Sequence, residues 1–164
     1  MSERRLEVTW DDPAMLAAEG SRRPPLEFLQ AIRDREVPTA PISQLMGFHL
    51  DEVEEGRAVF GADPGEQHYN PIGVVHAGLA ATMLDSAMAC AIHSALPEGA
   101  GYTTLETKFN LVRAITAETG RIEAEGRVVN LGRRVGTAEG RLTATEGGKL
   151  LAHGTSTCLV VPLP

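Results

Sequence analysis

Aromatic side chains make up only 4% of the 164 residues. So few rings do not build a base-stacking platform for single-stranded nucleic acid. Positive charge is also scarce: 15 Lys and Arg against 22 Asp and Glu leave a formal net charge of -7. General nucleic-acid binders are basic, so no nucleic-acid partner is expected, and any anionic ligand has to be met by a local arginine cluster. The two cysteines, Cys90 and Cys158, stand far apart in apolar stretches without metal-ligand spacing. They read as buried free thiols, and no metal site is expected. The opening MSERRLEVTW lacks the apolar core of a secretion signal, which makes a cytoplasmic location the expectation. Only one run, Gly73 to Leu96, is long and apolar. It carries His76, Asp85 and His93 and is rich in Ala rather than Leu, so it reads as a buried helix and not as a membrane span.

What is present is an ordinary globular balance, 43% hydrophobic and 23% charged, in a length suited to one domain. Residues 1–41 read as a helical extension. Asp12-Pro13 suits a helix start, Ser21 to Pro25 breaks that helix, and Leu26, Phe28, Leu29 and Ile32 mark a second short one, with Pro38 and Pro41 closing the region. Residues 42–164 read as the main domain. Two short strands flank Glu54-Glu55-Gly56, and Asp63-Pro64-Gly65 turns the chain toward a long helix from His76 to about Leu96. Four strands follow. In the first, Leu105, Thr107, Phe109 and Leu111 alternate with Thr104, Glu106, Lys108 and Asn110. This order predicts an α+β fold in which an antiparallel sheet curls around one central helix.

Within that helix Leu79, Met83, Ala87 and Ala91 form one apolar stripe and Ala80, Leu84, Met88 and Ile92 the next. Asp85 is the only acidic residue between them. Asp is a poor helix former, and an unpartnered carboxylate is costly to bury. Two readings follow: Asp85 sits on a thin polar strip with Thr82 and Ser86, or it faces a pocket and does chemistry. The helix entrance places Asn70, Gly73, His76 and Gly78 where free backbone N–H groups can meet an anion or a developing oxyanion. Asn70 as a plain turn residue and His76 as a satisfied core histidine are the simpler alternatives.

The run Asn70…His76-Ala77-Gly78…Asp85 resembles the phenylacetate-degradation-type hotdog-fold acyl-CoA thioesterases. That family has Asn, then His-Gly-Gly six residues on, then Asp or Glu nine residues after the His; both spacings hold here. The stretch from Tyr102 to Arg113 resembles the strand that follows the family's helix, and the likeness extends over roughly Met46 to Val161. Ala77 departs from the first Gly of the motif, and Ala114 stands where the family often has Pro. The resemblance implies a hotdog fold and hydrolysis of an acyl-CoA thioester. Asp85 would be general base or nucleophile. The Ala77 N–H would polarise the carbonyl, with Gly78 shaping the entrance. Asn70 and His76 would position carbonyl or water, and Thr104, or else Thr103, would hold the water. No metal or resident cofactor is implied; coenzyme A is part of the substrate, its phosphates met by Arg113, Arg133 and Arg134. Those arginines read equally as solvated strand and turn charges.

A hydratase or dehydratase of acyl thioesters, and a non-catalytic acyl-CoA-binding protein, remain alternatives on the same fold. Nine residues of helix separate His76 and Asp85 by roughly 13 Å. One thioester does not easily touch both from a single chain, so a homodimer with shared sites is expected. The resemblance implies the same, often as a tetramer of two such dimers.

Overall fold

The computed structural model describes residues 3–163. Helix α1 spans Pro13–Arg22, with the Asp12 carboxylate accepting from the Ala14 N–H at 2.9 Å and Pro13 in the first turn. Helix α2 spans Pro25–Arg33 and buries Phe28, Leu29 and Ala31. Leu29 joins the main core, so the second helix of the extension is packed into the domain itself. A third helix, α3 at Pro41–Met46, begins at Pro41, where the sequence predicts a break. Proline fits the first turn of a helix as well as it ends one, and here the helix stops at Gly47, whose φ of 67° is left-handed.

Six strands follow: β1 (Phe48–Glu54), β2 (Arg57–Ala62), β3 (Ala100–Leu111), β4 (Ile122–Leu131), β5 (Val135–Ala144) and β6 (Leu150–Pro162). They form one antiparallel sheet in the order β1-β2-β4-β5-β6-β3. Between β2 and β3 the chain runs through helix α4, Ala77–Ser94. Leu79, Met83, Leu84, Met88 and Ile92 of α4 are fully buried against Phe48, Ile122 and Leu142 of the sheet. This is the expected hotdog fold, with α4 as the filling.

Two details position the candidate site. At Gly126 of β4 a Cβ would collide with the backbone of Ala87 and Met88, so glycine lets α4 approach the sheet closely. In β3 the register against β6 jumps between Thr104, opposite Cys158, and Glu106, opposite Thr157. Leu105 is the extra residue of this β-bulge, which reverses the alternation beyond it. Tyr102 and Thr104 before the bulge, and Thr107 and Phe109 after it, are therefore all partly covered, while Thr103, Leu105, Glu106 and Lys108 are exposed.

Candidate active site

The half-buried Asp85 points from the middle of α4 toward β3. Its Oδ1 accepts a hydrogen bond from Thr107 Oγ1 at 2.8 Å. Thr107 Oγ1 also lies 3.3 Å from Ser156 Oγ, and Ser156 donates to the Glu106 carbonyl at 3.1 Å. The carboxylate is thus anchored through two hydroxyls to β3 and β6. Its other oxygen makes no hydrogen bond among the described residues and is not sealed in the core. A cavity of about 360 Å³ lies against it, bounded by Ala81 and Thr82 of α4 and by Thr104, Thr107 and Phe109 of β3. Asp85 therefore combines a hydroxyl partner with an open face. Thr82 does not compete for it, because its hydroxyl donates back to the Gly78 carbonyl at 2.9 Å.

The hydroxyl bonded to Asp85 belongs to Thr107 and not to Thr104. Thr104 lines the same cavity, but its hydroxyl has Cys158 Sγ as its neighbour at 3.9 Å. Thr103 faces outward. Simple alternation put Thr104 and Thr107 on opposite faces; the bulge at Leu105 brings both to the helix side.

The helix entrance forms a second cavity of about 350 Å³, bounded by Asn70, His76, Ala77, Leu111 and Arg113 among others. Asn70 Oδ1 accepts from the N–H groups of Ile72 at 3.0 Å and Val74 at 3.3 Å. That holds the loop and leaves the carboxamide NH2 without a partner among the described residues. His76 is the N-cap of α4, its Nδ1 accepting from the Gly78 N–H at 2.8 Å. A ring that accepts at Nδ1 carries its proton at Nε2, which points a donor away from the helix. The Gly78 N–H is consumed by this cap, and a side chain at Gly78 would crowd His76 Nδ1. The Ala77 N–H makes no hydrogen bond among the described residues, leaving one free donor at the positive end of α4.

The structure brings Asn70, His76, Ala77 and Arg113 together but leaves Asp85 in a different cavity. Arg113 also donates to the Leu150 carbonyl. Arg133 and Arg134 sit on the exposed turn between β4 and β5, next to Gly136, which lies against Ile92 near the C-terminal end of α4. Among the described residues none of the three forms an ion pair, whereas Arg57 and Arg121 are matched to Glu125 and Asp51 on the sheet. Cys90 and Cys158 are free thiols. Burial pushes the Cys90 thiol up to about 12, far from a reactive thiolate. Among the described residues no group of three or more His, Cys, Asp or Glu side chains is placed to hold a metal ion, and no helix is long and apolar enough to cross a membrane.

The chain is similar to known proteins in sequence and in fold. Residues 72–151, which include α4 with Asp85 and β3 with Thr107, match the thioesterase superfamily. No curated protein matches the chain in sequence. Among solved structures, a thioesterase family protein from Silicibacter pomeroyi is 26% identical, with 82% of this chain and 98% of that one covered at a TM-score of 0.72. A mutant phenylacetic acid degradation protein PaaI from Thermus thermophilus is 28% identical, covering 73% and 98% at a TM-score of 0.66. The PaaI protein from the E. coli phenylacetic acid degradation operon, 17% identical over 84% and 96% with a TM-score of 0.72, shares the fold. The chain thus resembles the hotdog thioesterases. Within them it resembles the proteins of phenylacetate degradation.

Proposed function

We propose that this protein hydrolyses acyl-CoA thioesters, with Asp85 as general base or nucleophile. The observation that carries the reading is the lone carboxylate of an apolar helix, one oxygen fixed by Thr107 and the other open to a cavity. As a base, Asp85 takes a proton from a water whose oxygen attacks the carbonyl carbon. The C–S bond then breaks and the proton passes to the departing thiolate of coenzyme A. As a nucleophile, it attacks the same carbon directly, expels the thiolate and forms a mixed anhydride that water opens. In either course negative charge develops on the carbonyl oxygen, and the unpaired Ala77 N–H at the start of α4 is the donor suited to meet it. Asn70 NH2 and His76 Nε2–H flank that donor and orient the carbonyl or the water.

Asp85 and Ala77 lie at different levels of one helix, so a complete site takes Asp85 from one chain and the Asn70–Gly78 entrance from a two-fold partner. The twelve-residue β3 is an edge strand and shows exposed Leu105 and Leu111, with Val112 just beyond, so it is suited to pairing with a second copy. Two such dimers would make the tetramer. Arg113, Arg133 and Arg134 would meet the phosphates of coenzyme A, and the cytoplasm, where acyl-CoA is made and used, is the compartment this reading implies.

The test is release of free thiol from a panel of aryl, medium-chain and long-chain CoA thioesters by wild type and Asp85→Asn. Thiol release by wild type and a loss of about 100-fold or more in turnover at unchanged melting temperature is the expected result. A changed acyl chain without thiol release would identify a hydratase. Tight binding with neither would identify a carrier or regulator. Asp85→Asn that melts early but keeps its turnover per folded molecule would make Asp85 structural.

A further inference from the structure

A third cavity, of about 520 Å³, lies between the N-terminal extension and the C-terminal half of α4. Pro13, Leu16 and Ala17 of α1 roof it, Phe28 and Ile32 of α2 form a wall, and Cys90, His93, Gly101 and Tyr102 form the floor. Among the described residues no Asp, Glu, Lys or Arg lines it. The polar tips that do are largely spent. The Ser21 hydroxyl donates to the Ala17 carbonyl at 3.2 Å, burial pushes the Cys90 thiol up, and the neighbouring Cys90 together with burial pushes the Tyr102 phenol up, so both stay uncharged. His93 is buried between the rings of Phe28 and Tyr102, with centroids 6.1 and 5.2 Å away. Burial holds its pKa down to about 4, so it is uncharged at neutral pH. Such a space, within the range of small-molecule pockets, favours an uncharged hydrocarbon.

The position of this cavity relative to Asp85 identifies the hydrocarbon. The seam between α4 and β3 runs from Asp85 and Thr107 past Thr104 to Cys90 and Tyr102. Asp85 is close enough to both Cys90 and Tyr102 for its charge to raise their pKa values. From Asp85 to His93 the helix advances roughly 12 Å, a span suited to a medium-length acyl chain. We infer that the extension makes this cavity the acyl-chain pocket: a thioester with its carbonyl at Asp85 lays its tail along the α4–β3 seam and beneath α1 and α2. The inference rests on the thioesterase reading and adds the substrate class, aliphatic acyl groups of medium length, together with a role for residues 13–32 in choosing them.

Calorimetric titration with ethyl-, hexyl- and decyl-CoA thioethers tests this, because these probes bind without being hydrolysed. Wild type is expected to bind the decyl compound at least about ten-fold more tightly than the ethyl one, since each buried methylene adds to affinity. Ala17 and Ser21 lie one turn apart on α1, and both line the cavity. Neither belongs to the buried core, so a larger side chain at either fills the cavity without overfilling the interior. Ala17→Phe and Ser21→Leu should each abolish most of the chain-length gain and leave ethyl-CoA affinity unchanged. Wild-type affinity that is flat with chain length, or a gain that survives both substitutions, overturns the inference. Thiol release accompanied by flat binding sinks the pocket alone. Length-dependent binding lost in the variants, with no thiol release from any thioester, sustains the pocket and sinks the thioesterase.

Discussion

Thr107 of β3 donates to Asp85 of α4 across 2.8 Å, tying the edge strand of the sheet to the only carboxylate of its central helix. The bond fixes which way the carboxylate faces. Thr107→Val, similar in shape but without the hydroxyl, should lower turnover roughly ten-fold or more, the worth of a hydrogen bond to a charged group. Thr107→Ser should restore most of it. Steady-state kinetics on both variants check this, and equal loss in the two would assign Thr107 a packing role.

If two chains share each site, Asp85→Asn and Asn70→Ala damage different halves. Denaturing and refolding the two together should make half of the dimers mixed. Each mixed dimer rebuilds one intact site, so about a quarter of wild-type activity should return. Mixed dimers shown to form but without activity would reject the shared site.

Gly126 marks the closest approach of the sheet to α4, with the backbone of Ala87 and Met88 where a Cβ would sit. Gly126→Ala should destabilise the fold by about 1–3 kcal/mol or more, because backbone has less room to yield than a side chain. Denaturant unfolding measures it. Activity should fall as well, since the displaced segment of α4 follows Asp85 directly.

The His93 ring is buried, and burial lowers its pKa from 6.5 to about 4. The unfolded chain takes up this proton near the upper value and the folded chain only near the lower one. His93 therefore leaves stability untouched above pH 6.5 and subtracts from it as pH falls toward 4. By pH 5 the loss should be roughly 2 kcal/mol. His93→Phe, set between the rings of Phe28 and Tyr102, should remove that part of the slope. Unfolding curves at pH 7 and 5 for both proteins provide the measurement.

The order of elements and the importance of Asp85 are legible in the sequence because periodicity carries them. Two apolar stripes define α4, and a carboxylate between them stands out. Thr107 was not legible as its partner. Strict alternation lets only one of Thr104 and Thr107 face the helix, and the bulge at Leu105 that admits both is a matter of register against β6, which no local pattern in β3 records. Helix α3 is not legible because Pro41 serves equally as a stop and as a first-turn residue. The cavity under α1 and α2 was invisible for another reason: its walls come from residues 13–40 and 90–102, and only tertiary packing brings Leu16 and Phe28 over Cys90 and Tyr102.

The placement of Thr107 on an edge strand has one more consequence. Interior strands are held on both sides, but among the described residues β3 is held by β6 alone. Whatever occupies its free side also limits how far Thr107 can drift from Asp85. Specific activity should therefore depend on protein concentration, falling on dilution while the far-ultraviolet circular dichroism stays constant. Mass action at the outer rim of the sheet would then set the fraction of chains competent to turn over.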